Sequence, residues 1–162
     1  MKILIAKASD IESLTHVEIE SKIQSIPDVV NDFDIDFEAR CRQWKTYFNK
    51  TSPQSSKPER IVYKAMVENK IVGYISGHLT TRYDKDAKIQ SFYILKEFQR
   101  TGLGITLLKK FIGWLDTKNA KSLCVGFHEK NKYQAFYLKH GGQYLNPHWI
   151  YWDDINQIFP FA

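Results

Sequence analysis

The stretch from Ile89 to Leu115 constrains this chain more than any other part of it. Ile89 to Phe98 is an apolar run that reads as a strand. Gln99-Arg100-Thr101-Gly102-Leu103-Gly104 comes next, and a helical pattern of about four turns starts at Leu103, with Leu107, Leu108, Phe111, Ile112 and Leu115 on one stripe. A strand that passes through a glycine-containing turn into a helix is a place to hold an anion. Glycine lets backbone N–H groups converge there, and the helix dipole adds positive potential. The expected ligand is phosphorylated, most simply a cofactor diphosphate.

Spacing narrows the ligand. Neither G-x-G-x-x-G nor G-x-x-x-x-G-K-[ST] fits. Q/R-x-x-G-x-G/A does fit, at Gln99, Gly102 and Gly104. Alone, this pattern is equally a tight turn without a ligand. A second segment lies downstream: Asn131-Lys132-Tyr133-Gln134-Ala135-Phe136-Tyr137-Leu138-Lys139-His140-Gly141-Gly142. The first pattern resembles the acetyl-coenzyme-A loop of the GNAT family of N-acetyltransferases. The second resembles that family's later N-x-A-x-x-F-Y-x-K-x-G-[FG] motif, in the same order and at a similar separation. The resemblance is sharp from Tyr63 to Tyr151 and looser before.

The remaining patterns divide the chain into alternating elements. Ile3–Ala6 reads as a strand, and Ser9-Asp10-Ile11-Glu12 as a capping box for a helix to about Ile23, ended by Pro27. Asp34 or Asp36 caps a second helix with Phe37, Cys41, Trp44 and Phe48 on one face. Residues 49–59 read as a polar, mobile loop. Ile61–Val67 and Ile71–Leu79 form a hairpin around Glu68-Asn69-Lys70. A turn near Tyr83–Lys88 precedes the apolar run; Leu123–Phe127 is a strand, Tyr133–Lys139 a helix and Tyr144–Tyr151 a last strand. The order βααβββαβαβ is that of the GNAT fold: α/β (α+β), a mixed sheet of six to seven strands flanked by about four helices. Residues 1–162 are expected to form one N-acetyltransferase domain.

Charge is unevenly spread. Residues 1–40 carry nine acidic and four basic side chains, whereas the rest of the chain carries nineteen basic and nine acidic. The basic part holds the glycine loop and suits an anionic cofactor. Asp28, Asp32, Asp34, Asp36 and Glu38 either attract a cationic amine or serve as caps on a solvated loop. Basic residues are scattered rather than clustered, which argues against nucleic acid. The N-terminal apolar run is too short for a secretory signal and no run spans a membrane, so a cytoplasmic location is expected. Cys41 and Cys124 lack metal or redox spacing and read as buried or half-buried thiols.

The resemblance implies acetyl-coenzyme A as donor, no metal, and direct attack by a primary amine through a tetrahedral intermediate. Small or polyamine-like acceptors are expected, with a peptide N-terminus or a non-catalytic acyl-coenzyme-A-binding module as alternatives. By resemblance, the strand before the loop splays from its neighbour, and Phe92, Tyr93 and Ile94 on it bind the pantetheine arm through their backbone, with the Ile94 N–H facing the oxyanion. Gln99, Arg100, Thr101, Gly102, Leu103, Gly104 and Ile105 hold the diphosphate, and Asn131 contacts the cofactor. Asn131 and Gln134 equally read as a helix cap, and Tyr133 stands where the family has a small residue. Tyr137 corresponds to the tyrosine facing the departing sulfur. Proton transfer from an ordinary phenol to a thiolate is uphill by roughly 2 kcal/mol, so hydrogen bonding is its alternative role. Glu18, His78, Glu97, His128 and Glu129 stay open as bases, as does a water chain to a backbone carbonyl. The aromatic tail, Trp149 to Phe161, suits either a homodimer contact or packing on its own core.

Overall fold

The computed structural model describes residues 1–28, 30–54 and 56–159. Its framework is one seven-stranded sheet with the order β1-β2-β3-β4-β5-β7-β6. The strands are β1 (Lys2–Ile5), β2 (Ser56–Val67), β3 (Lys70–Thr80), β4 (Ala87–Ile94), β5 (Leu123–Gly126), β6 (Gln143–Asn146) and β7 (Trp149–Trp152). The helices are α1 (Ile11–Ser25), α2 (Phe37–Phe48), α3 (Leu103–Thr117) and α4 (Gln134–Lys139). All neighbouring strands are antiparallel except β4 and β5, which are parallel.

Helices cover both faces. On one, Leu103, Leu107, Leu108, Phe111 and Leu115 of α3 pack on Ile75, Ile89 and Val125, and Phe136 and Tyr137 of α4 join them. The stripe's spacing of three and four residues produces this continuous apolar face. On the other, Leu14 and Val17 of α1 and Trp44 and Tyr47 of α2 pack on Val62, Ile71 and Tyr74. Gly77 sets the α3 contact, because a Cβ there would lie 2.3 Å from the Phe111 ring.

Several expectations change. Ser9 does not cap α1: it lies in a 3-10 turn, and Asp10 accepts the Lys7 N–H and the Lys64 ammonium, each at 2.8 Å. Asp36 is the cap of α2, its Oδ1 accepting the Ala39 N–H at 2.9 Å. Asp34 and Asn31 accept each other's N–H, so these two acids serve local turns. The polar 49–59 segment is partly strand, since β2 begins at Ser56 and pairs it with Thr80. β4 stops at Ile94, and Lys96–Phe98 forms a 3-10 turn. The expected last strand is two: residues 147–148 turn the chain, and β6 pairs with β7. Ile155 and Ile158 are buried in the main core, so this part of the tail packs on its own molecule. Residues 160–162, the end of the aromatic tail, lie outside the described residues. Cys124 is buried and Cys41 half-buried, both as free thiols. No helix among the described residues is long and apolar enough to cross a membrane.

Candidate active site

The site begins where two parallel strands part. β4 and β5 pair only at Ala87–Leu123, Lys88–Cys124 and Ile89–Val125. β4 then continues to Ile94, leaving its β5 side open. A β-bulge marks the parting: Ser76 faces Ser91 but Gly77 faces Ile89, so Gln90 is an extra residue. Bulges bend a strand and re-aim the residues beyond them.

Antiparallel alternation then decides which backbone groups face the opening. The Leu95 N–H donates to the Val72 carbonyl at 2.9 Å. With Gly73 opposite Ile94 and Tyr74 opposite Tyr93, Tyr93 exchanges its bonds with β3. Phe92 and Ile94 turn their N–H and C=O towards the gap. The Ile94 carbonyl accepts from Gln99 Nε2 at 2.9 Å, and the Ile94 N–H faces the gap. Tyr93 therefore differs from its two neighbours: its backbone is committed to β3, and its ring lies on the α1–α2 face.

Past Ile94, the glycine turn forms the second part. Arg100 has φ +59° and Gly102 φ +87°. No acceptor within the chain takes the backbone N–H of Arg100, Thr101, Gly102, Leu103, Gly104 or Ile105 among the described residues; Thr106 is the first to bond back, to Gly102 at 3.1 Å. Three of these six amides open α3, so the helix dipole acts on the same spot. A Cβ on Gly102 would have nothing within 4 Å, whereas one on Gly104 would touch Ile94 and Phe136 at 3.5 and 3.6 Å. The first glycine answers a backbone requirement, the second a packing one.

Other expected residues turn out to be struts. Gln99 Oε1 accepts from the Tyr133 hydroxyl at 2.8 Å, so Gln99 ties β4 to the start of α4. Asn131 Oδ1 accepts the Tyr133 N–H at 2.9 Å in a turn just before α4; the N-cap of α4 is Tyr133, with no side-chain bond, so Asn131 and Gln134 do not form the expected cap. Tyr137 packs edge-on against Phe136 and Trp152, and burial pushes its phenol above the usual range. A phenol shifted that way holds its proton more firmly and favours hydrogen bonding over proton transfer.

A cleft of about 360 Å³ adjoins β4 on its α1–α2 face, lined by Glu18, Lys22, Arg40, Trp44, Tyr47 and Tyr93 among others. Glu18 accepts Lys22 Nζ at 2.6 Å on one oxygen and Trp44 Nε1 at 3.0 Å on the other. Arg40 stands 4.0 Å from Glu18 and lies over the Phe33 ring at 4.3 Å. Burial, with the nearby Glu18 carboxylate, pushes the Tyr93 phenol up, and Tyr137 lies within its electrostatic reach. Among the open bases, Glu97, His128 and Glu129 are exposed. His78 is buried, its Nδ1 3.0 Å from the Tyr47 hydroxyl. Burial, Lys88 and Arg60 push His78 down to about 3, so it is neutral. Of these five, Glu18 alone lines the cleft.

Sequence reasoning missed the Gln90 bulge, the Gln99–Tyr133 strut and the part played by Arg40. The i, i+4 spacing of Glu18 and Lys22 was a readable signal. Arg40 had none, because burial of an arginine in a helix's first turns is a tertiary fact.

The acetyltransferase (GNAT) family model matches residues 26–142. The fold is similar to that of PaiA N-acetyltransferase from Thermoplasma acidophilum, solved in complex with coenzyme A: 18% identity, 93% of this chain and 98% of that one covered, TM-score 0.71. It is also similar to an acetyltransferase from Thermus thermophilus, with 20% identity, 93% and 95% covered and TM-score 0.70. Ribosomal-protein-alanine N-acetyltransferase from Brucella melitensis shares 18% identity over 93% of this chain and 97% of that one, with TM-score 0.65.

Proposed function

This chain belongs to the acetyltransferase (GNAT) family, and we propose that it transfers the acetyl group of acetyl-coenzyme A to the primary amine of a small molecule. The observation that carries the reading is the row of six backbone amides, Arg100 to Ile105, unclaimed within the chain at the mouth of a strand gap. Such a row at a helix N-terminus suits a diphosphate.

In this reading the backbone groups of Phe92 and Ile94 hold the pantetheine arm, and the Ile94 N–H donates to the carbonyl oxygen as it gains charge. Gln99 positions that stretch by bonding to Ile94. Arg100 adds a cation at the loop. Tyr137 donates a hydrogen bond to the departing sulfur, and the amine attacks from the cleft beside Tyr93 to give the tetrahedral intermediate. Asn131 acts by shaping the start of α4. The whole chain, 1–162, is taken as one N-acetyltransferase domain. A peptide α-amine is the second reading, favoured by the likeness to the Brucella enzyme; the cleft's modest volume favours the smaller acceptor.

Gly102→Asp tests the loop. Nothing lies within 4 Å of a Cβ there, so the added charge meets the diphosphate rather than the core, and Gly102→Ala, which carries the strain of φ +87° without the charge, is the control. The dissociation constant for acetyl-coenzyme A, measured by calorimetry, is expected to rise at least about ten-fold. Unchanged affinity overturns the loop's role. Binding without thiol release for any amine would instead favour a non-catalytic acyl-coenzyme-A-binding module.

A further inference from the structure

We infer that the acceptor carries a carboxylate beside its amine, and that Arg40 receives it. The inference rests on the acetyl-transfer reading above and names the class of molecule that enters the cleft.

Arg40 is buried, with 7% of its surface exposed, and it lines the cleft. Its Nε and Nη2 have no hydrogen-bond partner. Those two atoms form one edge of the guanidinium, the side-on fork that meets both oxygens of a carboxylate in two parallel N–H···O bonds. The remaining nitrogen, Nη1, faces Glu18 at 4.0 Å, beyond hydrogen-bond reach. Glu18 does not satisfy Arg40, because its oxygens are occupied by Lys22 and Trp44. Asp34, also near Tyr93 electrostatically, is tied to Asn31 and forms no ion pair among the described residues.

A buried cation with an unpaired fork is costly unless a ligand completes it. Phe33 covers one guanidinium face by cation–π contact, which holds the plane; the Nε–Nη2 edge is itself nearly closed to solvent, so a carboxylate reaches it as the lining side chains move aside. The second cation, Lys22, is paired with Glu18. A polyamine would bring further positive charge beside Arg40 without a free carboxylate to receive it, so the cleft departs from the polyamine-like acceptor expected from sequence. A volume of about 360 Å³ accommodates a molecule the size of an amino acid.

The test is a thiol-release assay with acetyl-coenzyme A and matched acceptors: free α-amino acids, their carboxamides, the corresponding decarboxylated amines, and spermidine. The expected kcat/KM for free acids is at least about ten-fold above that of their carboxamides and amines. Arg40→Lys is expected to erase that preference, mainly by raising KM for the acids, with a smaller loss for the carboxamides. Equal or better use of carboxamides, decarboxylated amines or spermidine overturns the inference and leaves the transferase reading standing. So does an Arg40→Lys variant that slows all acceptors alike, which would mark Arg40 as structural support. Thiol release with none of the panel rejects both. If Arg40→Lys does not fold, the wild-type ranking of acid over carboxamide decides.

Discussion

Tyr137 and Arg40 show how a single side chain's surroundings decide its chemistry. Tyr137 sits against Phe136 and Trp152, and burial raises its phenol above the ordinary range. It therefore stays protonated through the neutral range, which suits the proposed role of hydrogen-bond donor. Tyr137→Phe is expected to lower kcat by about ten- to a hundred-fold, the worth of one hydrogen bond to a charged group, with KM for acetyl-coenzyme A nearly unchanged. Steady-state kinetics with the best acceptor measures this, and equal rates would remove Tyr137 from the reaction. Gln99 tells the opposite lesson. It was legible as part of a ligand loop, yet its side chain spans Ile94 and Tyr133. Motif spacing identifies the position; the partner on a distant element sets the role.

At the scale of elements, the decisive pair is β4 and α3. The apolar stripe of α3 was readable from its periodicity, and the helix occupies the expected residues. The gap beside β4 was expected from the family resemblance alone and left no mark in composition or periodicity, because it arises from the Gln90 bulge and from β5 ending at Gly126. α3 is seated by Gly77, whose missing side chain admits the Phe111 ring and the Lys88 carbonyl. Gly77→Ala is expected to destabilise the protein by about 1–3 kcal/mol through overpacking. Chemical denaturation checks it, and an unchanged midpoint would mean that α3 shifts without cost. The split of the last expected strand into β6 and β7 has a local cause: Pro147 lacks an N–H and breaks the ladder.

For the whole molecule, the sheet separates two packed cores. Charge patterning along the chain suggested an acidic N-terminal part drawing in a cation; folding spends Asp36 and Asp34 on turns and brings Lys22 and Arg40 to the cleft. Under the same sheet face, His78 is buried and held neutral, pushed down to about 3 from 6.5. Unfolded chain takes up that proton first, so this stability is present above pH 6.5 and drains as pH falls towards 3. The slope is at most about 1.4 kcal/mol per pH unit. His78→Gln is expected to be less stable at pH 7 and to lose less stability as pH falls from 6.5 towards 3, by calorimetric Tm. Parallel wild-type and variant curves would exclude His78 as the source.

Two short motifs, the Gln99–Gly104 turn and the Asn131–Gly142 segment, together with hydrophobic periodicity, were enough to reach the family and the element order up to the last strand, and to single out the glycine turn. Those properties depend on local spacing, which the chain carries in one dimension. The bulge that opens β4, the partition of Phe92, Tyr93 and Ile94 between gap and sheet, and the unpaired fork of Arg40 were decided only by tertiary structure. Each depends on which distant group, if any, arrives to complete a hydrogen bond, and that is a property of packing in three dimensions.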